Sequence, residues 1–397
     1  MRRAAATLAL ALAVTAGAAP VTVTFWHSME GVRDLVQRFA DEFNRSQNQY
    51  RVVPTSVGNY RQAQEKLQGA LKAGNAPVLF QAELTYFPQL VAEGRLVNLD
   101  QYEAKLDADL RRDFYPAVWN YGDYGGKRYG LPWNVSTPVL FYNIGAFKKA
   151  GVNAPRTWTE FEVTARKLSS GRRAFVFGAD AWTFEQLVAA RGGSVVRGDQ
   201  PNFTSAEVVA ALESLVRLTQ AGAAQPRTLS DGTRAAVDFV RGQHVIAAAS
   251  IANWTDFDRL GFLFRPGAAP MPCEKVCAVP FGGAQLVVLQ GASAPEQAGA
   301  FAFWRYLMDG DTLKRWVERT AYMTPRRSVQ AQLQTYYAQN PYRKAVFAQL
   351  DDAVPRPRLP EYAQWQRYLE DAILKATSGK ATARAALEEA QRRAGGS

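Results

Sequence analysis

The first hundred residues alternate between two periodicities of apolar positions. Positions 21–26 and 50–57 are rich in β-branched and aromatic residues, which is typical of strands. Between them, apolar residues recur every three or four positions, as expected of an amphipathic helix that packs on a sheet. These positions are Val32, Leu35, Val36, Phe39 and Phe43. Strands that alternate with helices predict a parallel sheet of the α/β type.

The alternation continues along the chain, and a second α/β series begins near Ser136. We predict strands at 77–81, 136–142, 174–177, 244–249 and 283–289, and helices at 60–71, 87–91, 158–168, 183–191, 205–220 and 233–241. From 294 to about 393 the pattern is helical. Because strands return after long intervals, we expect two lobes between which the chain crosses more than once, with a cleft where a ligand can bind. We assign the lobes as 19–135 with about 290–330, and 136–289 with about 331–397.

The N-terminus has the features of a secretory signal peptide. Arg2 and Arg3 precede an uncharged stretch over 4–16, which is shorter than the roughly 18–20 apolar residues that span a bilayer. Positions 16–18 (Ala-Gly-Ala) fit a small-x-small cleavage site. We expect cleavage after about Ala18, and no lipid anchor because no cysteine follows the apolar stretch. The alternative is a buried N-terminal helix.

Composition narrows the class of protein. The 397 residues contain 47% hydrophobic and 21% charged residues, the balance of a soluble globular protein, which argues against disorder and against a polytopic membrane protein. The length suggests two or three domains. A formal net charge of +11 favours an anionic partner. Export from the cytoplasm argues against nucleic acid as that partner.

Few residues point to covalent or metal chemistry. Cys273 and Cys277 form either a local disulfide or two free thiols in an exported protein. The two histidines, His27 and His244, leave little for a metal site, and we expect no metal and no cofactor. The motifs G-x-S-x-G, H-E-x-x-H and G-x-G-x-x-G are absent from the sequence. We therefore expect no catalysis, although the abundant carboxylates leave a glycosidase pair open.

Several short strings are more specific than the periodicity. They are FWHSMEG at 25–31, VGNY at 57–60, GNAP at 74–77, PWNVSTPVLFYN at 132–143, FKKAG at 147–151, FGGA at 281–284 and TAY at 320–322. In this order and spacing they resemble the glycerol-3-phosphate-binding proteins of bacterial ABC importers, within extracellular solute-binding protein family 1. A broader string, GKRYGLP at 126–132, is shared with sugar binders.

The resemblance implies an α/β, two-lobed periplasmic-binding-protein fold of type II, whose lobes close on a ligand about a hinge. It implies binding of sn-glycerol-3-phosphate or of glycerophosphodiesters such as glycerophosphocholine, and delivery to the permease subunits of an ABC transporter in the membrane. The protein is then a monomer in the periplasm or another extracytoplasmic space, and not an enzyme. A sugar or oligosaccharide binder with the same fold is the alternative, and a secreted hydrolase is a rival from another class.

The ligand-binding positions of the family carry over to this chain residue by residue. They are Tyr60, Glu83, Ser136, Trp182, Ser250, Gly283, Tyr322 and Arg367. Near Ser250 the sequence departs from the family's Ser/Gly-rich run, so Ser250, Asn253 or both supply the hydrogen bond there. Each residue also has a structural interpretation; Arg367, for example, fits a solvated helix face.

The chemistry of these residues suits a small phosphate ester. A phosphate monoester carries about −1.5 to −2 charges and three acceptor oxygens, so Arg367 can bind it through two parallel hydrogen bonds. The hydroxyls of Tyr60, Ser136 and Tyr322 add donors, and Gly283 can expose backbone N–H groups. Ionised Glu83 only accepts, which assigns it to the glycerol hydroxyls. Trp182 can cover the C–H face of the glycerol.

Overall fold

The structure is a computed structural model that describes residues 19–395. The expected signal peptide over 1–18 lies outside the described residues. The strands are β1 (Val21–His27), β2 (Tyr50–Ser56), β3 (Leu79–Glu83), β4 (Asp123–Tyr124), β5 (Lys127–Arg128), β6 (Leu131–Ser136), β7 (Pro138–Asn143), β8 (Phe175–Gly178), β9 (Val196–Arg197), β10 (Gln200–Pro201), β11 (Ala224–Arg227), β12 (Ile246–Ser250), β13 (Pro266–Pro270), β14 (Val279–Pro280), β15 (Gly282–Val288) and β16 (Ala353–Val354).

The helices surround these strands and fill most of the C-terminal part of the chain. They are α1 (Arg33–Ser46), α2 (Tyr60–Ala73), α3 (Phe87–Ala92), α4 (Asp100–Glu103), α5 (Ala108–Asp113), α6 (Pro116–Tyr121), α7 (Ile144–Ala150), α8 (Trp158–Lys167), α9 (Ala181–Ala190), α10 (Ala206–Gln220), α11 (Gly232–Val240), α12 (Trp254–Leu260), α13 (Ala294–Leu307), α14 (Gly310–Thr320), α15 (Arg327–Gln332), α16 (Gln334–Gln339), α17 (Pro341–Phe347), α18 (Tyr362–Thr377) and α19 (Ala383–Gly395).

The first lobe is built on a five-stranded sheet in the order β2-β1-β3-β15-β6. β1 pairs in parallel with β2 and β3, whereas β15 runs antiparallel to β3 and β6. α1 lies against this sheet and buries Leu35, Val36 and Phe39, in agreement with the predicted periodicity. α13 packs on β1 and β2, and α14 packs on α13.

The second lobe is built on another five-stranded sheet, in the order β11-β8-β12-β7-β13. β11, β8 and β12 are parallel, and β7 is antiparallel to both β12 and β13. α8, α9, α18 and α19 pack around α10 and share one apolar core with this sheet. The carboxyl ends of the parallel strands in both lobes carry residues that line the cleft between the lobes.

The chain passes between the lobes in three places. It leaves the first lobe at Thr137, between β6 and β7, and returns between β13 and β15. It passes again between α14 and α18, where β16 pairs with β14. The strand Gly282–Val288 lies in the first sheet, so the expected assignment of 136–289 to the second lobe is wrong for these residues.

Strand boundaries differ from the sequence prediction in two places that matter for the site. β6 was not predicted, although Leu131, Trp133 and Val135 alternate with more polar residues along it, because Pro132 and the glycine-rich run before it indicated a turn. Ser136 therefore ends a strand instead of starting one. β3 extends to Glu83, so this carboxylate lies at the last position of the strand and not after it.

Other features are less involved in the site. Cys273 and Cys277 are joined by a disulfide, the first of the two alternatives that the sequence left open. His27 is buried at the end of β1, and its Nδ1 accepts a hydrogen bond from the N–H of Met29 at 3.2 Å. Within residues 19–395 no helix has the length and apolar character needed to cross a membrane.

Candidate ligand-binding cleft

A cleft of about 1130 Å³ lies between the two lobes. All eight residues that the sequence predicted for ligand binding line it, and so does Asn253. The first lobe contributes Tyr60, Glu83, Ser136, Gly283 and Tyr322. Trp182, Ser250 and Arg367 lie on the opposite side, on the second lobe and on α18. The residues come from both lobes, so a ligand in the cleft would contact both.

Tyr60 is positioned by the start of α2. The side chain of Asn59 caps this helix by accepting a hydrogen bond from the N–H of Gln62, whose side chain accepts in turn from the N–H of Asn59. Tyr60 follows as the first helical residue, directed toward the end of β6, where the side chain of Asn134 donates to its hydroxyl at 2.9 Å. The cap thus fixes where this phenol enters the cleft.

A buried amide pair supports the floor of the cleft. Gln81 Nε2 donates to Asn134 Oδ1 at 2.8 Å, and both side chains are about 1% exposed. Gln81 Oε1 accepts from the N–H of Ser28 at 2.6 Å. Sequence reasoning missed Gln81 and Asn134 as supporting residues, although Asn134 lies inside the quoted string at 132–143. Their hydrogen bonds fix the orientation of Tyr60.

The phenols of Tyr60 and Tyr322 keep their protons. Burial raises the pKa of Tyr322 to about 12 and raises that of Tyr60 well above its ordinary value. Tyr322 stacks on Trp316, with ring centroids 5.5 Å apart. The hydroxyls of Tyr60 and Tyr322 are hydrogen-bonded neighbours beside Asn134. As protonated phenols, they can donate to an acceptor-rich ligand such as a phosphate.

Glu83 is held at both carboxylate oxygens. Thr85 donates to Oε2 through its backbone N–H at 2.8 Å and through its hydroxyl at 2.5 Å. Arg356 donates to Oε1 through Nη1 at 3.2 Å. Each carboxylate oxygen can accept more than one hydrogen bond. The carboxylate is thus fixed in orientation and retains acceptor capacity toward the cleft.

Arg356 was not predicted from the sequence and is central to the site. It is 6% exposed, and its Nε and Nη2 donate to the two oxygens of Glu185 at 2.9 and 2.7 Å. Tyr362 also donates to Glu185, at 2.5 Å. The nearby carboxylates of Glu185 and Glu83 outweigh burial and raise the pKa of Arg356 well above its ordinary value. The only sequence signal was an arginine in a proline-rich segment at 354–360.

Trp182 closes the cleft at the side of β15. Its indole N–H donates to the carbonyl of Pro280 at 2.7 Å. The indole ring of Trp182 packs directly on the backbone of Gly282. A Cβ added at Gly282 would lie 2.5 Å from the ring, so only glycine fits there. Asp180 caps α9 and so positions Trp182 two residues later. The indole nitrogen is occupied, which leaves the ring face as the part available to a ligand.

Gly283 is required by the backbone itself. Its φ is +124°, a region that side-chain-bearing residues rarely adopt, and a Cβ there would lie 1.9 Å from the carbonyl oxygen of Asn134. The sequence analysis assigned this glycine to the exposure of backbone N–H groups to a ligand. The structure gives a second reason, the close contact between β15 and β6 at a register shift. Ser136 is buried opposite Gly282 in the same ladder.

Ser250 and Asn253 occupy neighbouring positions at the end of β12. The hydroxyl oxygen of Ser250 accepts from the N–H of Ala252 at 3.2 Å and caps a short 3₁₀ helix. Asn253 donates to Asp256 at 3.2 Å. The O–H of Ser250 is free to donate while its oxygen accepts. Both residues line the cleft, so the two alternatives stay open.

Arg367 lies on the exposed face of α18, at the edge of the cleft. Glu370 follows one turn later, and burial together with the neighbouring charge of Asp180 raises its pKa to about 7. α18 therefore presents to the cleft a charged arginine, Arg367, and a carboxyl group, Glu370, that is partly protonated near neutral pH.

The cleft contains charges of both signs. Its acidic residues are Glu30, Glu83, Asp180, Asp256 and Glu370, and its basic residues are Arg61, Lys66, Arg227, Arg259, Arg356 and Arg367. A glycosidase needs two carboxylates in its cleft, so a cleft with a single acid would have argued strongly against a hydrolase. This cleft has five acids, so their number does not argue against one. Among residues 19–395 no group of three or more His, Cys, Asp or Glu side chains could hold a metal ion.

Two α/β lobes around one cleft define the class of protein: this is the two-lobed periplasmic-binding-protein fold. The structure is similar to the GacH receptor of Streptomyces glaucescens, solved unliganded and with acarbose (TM-score 0.84, 23% identity, 95% of this chain and 98% of that one). It is also similar to UgpB of Mycobacterium tuberculosis, solved with glycerophosphocholine (TM-score 0.82, 23% identity, 95% and 98%).

The chain belongs to the family described as bacterial extracellular solute-binding protein, whose profile matches residues 38–345. It is 27% identical to the sn-glycerol-3-phosphate-binding periplasmic protein UgpB of Yersinia pseudotuberculosis, over 97% of this chain and 94% of that relative. It is 28% identical to the protein of the same name in Pectobacterium atrosepticum, over 99% and 95%. The protein is thus an extracytoplasmic solute-binding protein.

Proposed function

We propose that the protein binds sn-glycerol-3-phosphate and glycerophosphodiesters such as glycerophosphocholine in the interlobe cleft. The observation that carries the proposal is that all eight residues inferred from the family resemblance line one cleft. The relatives named for sn-glycerol-3-phosphate binding match nearly the whole chain. The cleft also offers neutral hydroxyl donors, arginines and an oriented carboxylate, the groups that a polyol phosphate requires.

The two ends of the ligand call for different partners. The glycerol hydroxyls donate to Glu83, which is held in place by Thr85 and Arg356. The phosphate accepts from the phenols of Tyr60 and Tyr322, whose raised pKa values keep them protonated. Arg367 and the hydroxyl of Ser136, together with backbone N–H groups near Gly283, complete the phosphate end, and Trp182 presents its ring face to the glycerol carbons.

The volume of the cleft supports a ligand larger than glycerol-3-phosphate itself. At about 1130 Å³ it exceeds the roughly 300–1,000 Å³ typical of sites for drug-sized molecules. A three-carbon phosphate monoester fills a small part of this space. A phosphodiester with a further alcohol on the phosphate uses more of it, which favours a diester among the ligands.

The binding protein presents the ligand to the permease subunits of an ABC importer, and the ligand leaves chemically unchanged. In this proposal the chain is exported through its signal peptide and acts as a monomer in the periplasm or an equivalent space. Energy for transport comes from ATP hydrolysis by the partner proteins.

A thermal-shift series tests the proposal. A ligand at 100 times its dissociation constant stabilises a protein by about 2.7 kcal/mol. We expect sn-glycerol-3-phosphate and glycerophosphocholine to raise the midpoint of unfolding, and maltose to leave it unchanged. A shift with maltose and none with either phosphate ester would show that the proposal is wrong.

An oligosaccharide is the second candidate. The size of the cleft and its five carboxylates favour it, because carboxylates accept hydrogen bonds from sugar hydroxyls. The six cationic side chains in the same cleft favour the phosphate ester instead. Maltose and a longer maltodextrin in the thermal-shift series distinguish the two candidates.

A further inference from the structure

Arg356 connects the two lobes through a closed ring of hydrogen bonds. Its Nη1 donates to Glu83 and its Nη2 donates to Gln366 Oε1 at 3.1 Å. Gln366 Nε2 donates to the hydroxyl of Thr85 at 3.3 Å, and this hydroxyl donates to Glu83. Glu83 and Thr85 belong to the first lobe, whereas Gln366 lies on α18, which packs in the second lobe. The ring therefore crosses the cleft between the lobes.

The second lobe holds Arg356 firmly. Glu185 is 4% exposed on α9, and it accepts two parallel hydrogen bonds from the guanidinium. Tyr362 satisfies Glu185 further, and the ring of Trp182 stands on the same helix. Glu185 does not line the cleft, so its influence on a ligand must pass through Arg356.

We propose that Arg356 is a positioning residue that couples contact between the lobes to the orientation of Glu83 for the ligand. The guanidinium reaches Glu83 only while the end of β3 and α18 are close together. With that contact made, Glu83 is held between Arg356 and Thr85 and directs its remaining acceptor capacity into the cleft. The inference rests on the proposed function for the identity of the ligand, and on the ring of contacts for the role of Arg356.

Lysine cannot take over this role. The guanidinium of Arg356 is planar and contacts Glu185 through Nε and Nη2 and Glu83 through Nη1. The ammonium group of a lysine carries its charge on a single nitrogen and cannot reproduce this geometry. Arg356→Lys preserves the charge and loses the geometry, and Arg356→Gln loses both. Arg358 is the matched control, since it lies two residues later, stacks over Tyr121 and Tyr124 and does not line the cleft.

A double-mutant cycle tests the proposal on the full mature protein, with sn-glycerol-3-phosphate as the titrant. We expect Arg356→Gln and Arg356→Lys to weaken affinity by about tenfold or more, Glu185→Gln to weaken it in the same direction, and Arg358→Gln to change it less than twofold. In the Glu83→Gln background, Arg356→Gln should cost little further affinity, because the residue it orients is already changed.

Additive effects of Arg356→Gln and Glu83→Gln would overturn the proposal, as would unchanged affinity in Arg356→Gln. Unfolding midpoints without ligand are measured for every variant, because a purely structural role lowers the midpoint and leaves the two affinity effects additive. If wild-type protein binds maltose and no phosphate ester, the proposed function fails. The cycle then runs with maltose and still decides the role of Arg356.

Discussion

The side chain of Gln349 donates a hydrogen bond to the hydroxyl of Thr137, 3.0 Å away and 212 residues earlier in the chain. The carbonyl oxygen of the same side chain accepts from the N–H of Met271 at 2.8 Å. Thr137, Met271 and Gln349 lie on the three passages between the lobes, and all three residues are buried. One amide therefore holds the three connections together where the lobes join.

Gln349→Leu should destabilise the protein. The substitution leaves the hydroxyl of Thr137 and the N–H of Met271 buried without this partner, and each such group costs about 1–3 kcal/mol. We expect the free energy of unfolding, measured in urea, to fall by about 2–4 kcal/mol. Gln364→Leu on the exposed face of α18 is the control and should change little. Equal effects of the two substitutions would exclude the role of Gln349.

Gly283→Ala should be more disruptive than an alanine at another glycine with positive φ. The new Cβ would lie 1.9 Å from the carbonyl oxygen of Asn134, so β15 and β6 must separate. Gly291 is the matched control, with φ +96° and open space around its Cβ position. Gly291→Ala should cost about 1–2 kcal/mol for its backbone conformation alone.

The difference between these two alanine variants measures the contact between the strands. We expect Gly283→Ala to lose at least about 2 kcal/mol more in the free energy of unfolding than Gly291→Ala, and to weaken ligand binding. Similar losses in the two variants would mean that the strands accommodate a side chain at Gly283.

Glu83→Ala should weaken binding of the glycerol end of the ligand. Hydrogen bonds to a charged group contribute about 1.5–3 kcal/mol, so the dissociation constant should rise about 10- to 150-fold. Lys148→Ala on the exposed surface of α7 is the control, because this residue lies outside the cleft. If neither variant changes the affinity measured by calorimetry, Glu83 does not contact the ligand.

His27 predicts a pH dependence of stability. Burial lowers its pKa from 6.5 to about 4, so the folded protein keeps it neutral where the unfolded chain binds a proton. Its contribution to stability is fully present above pH 6.5 and is lost as the pH falls toward 4. This lowering of the pKa corresponds to about 3 kcal/mol in the free energy of unfolding.

His27→Asn should remove this dependence, because asparagine does not titrate and its oxygen can still accept from the N–H of Met29. The loss of stability between pH 7 and pH 4.5 should be smaller in the variant than in wild type. At pH 7.5 His27 is neutral in both the folded and the unfolded protein. The difference in stability between wild type and His27→Asn at this pH therefore measures only the change in packing and hydrogen bonding. Parallel stability curves in this range would show that His27 does not carry the effect.

The sequence predicted the elements whose signals are local. The periodicity of α1 and the β-branched and aromatic residues of β1 and β2 can be recognised within ten or fifteen residues, and the structure confirms these three elements. Four of the eight candidate residues, at 60, 136, 283 and 322, lie in strings that are themselves local, and the other four lie outside them. Such strings indicate which residues belong to a family pattern, and the fold then brings them to one cleft.

The connections between the lobes could not be predicted in this way. Arg356 contacts Glu185 and Glu83, which lie 171 and 273 residues earlier in the chain. Gln349 contacts Met271 and Thr137, which lie 78 and 212 residues earlier, and neither Arg356 nor Gln349 belongs to a periodic pattern. Only the folded arrangement shows that these polar residues are buried and paired. β6 was missed for a different, local reason, since Pro132 and the glycines before it indicated a turn.

Isothermal titration calorimetry of the mature protein with glycerophosphocholine and sn-glycerol-3-phosphate, and with maltotriose for comparison, tests the central claim most directly. The account predicts binding of both phosphate esters at one site per chain, loss of affinity for both in Glu83→Ala, and no heat of binding with maltotriose. Saturable binding of maltotriose, with no heat from either phosphate ester, would contradict it.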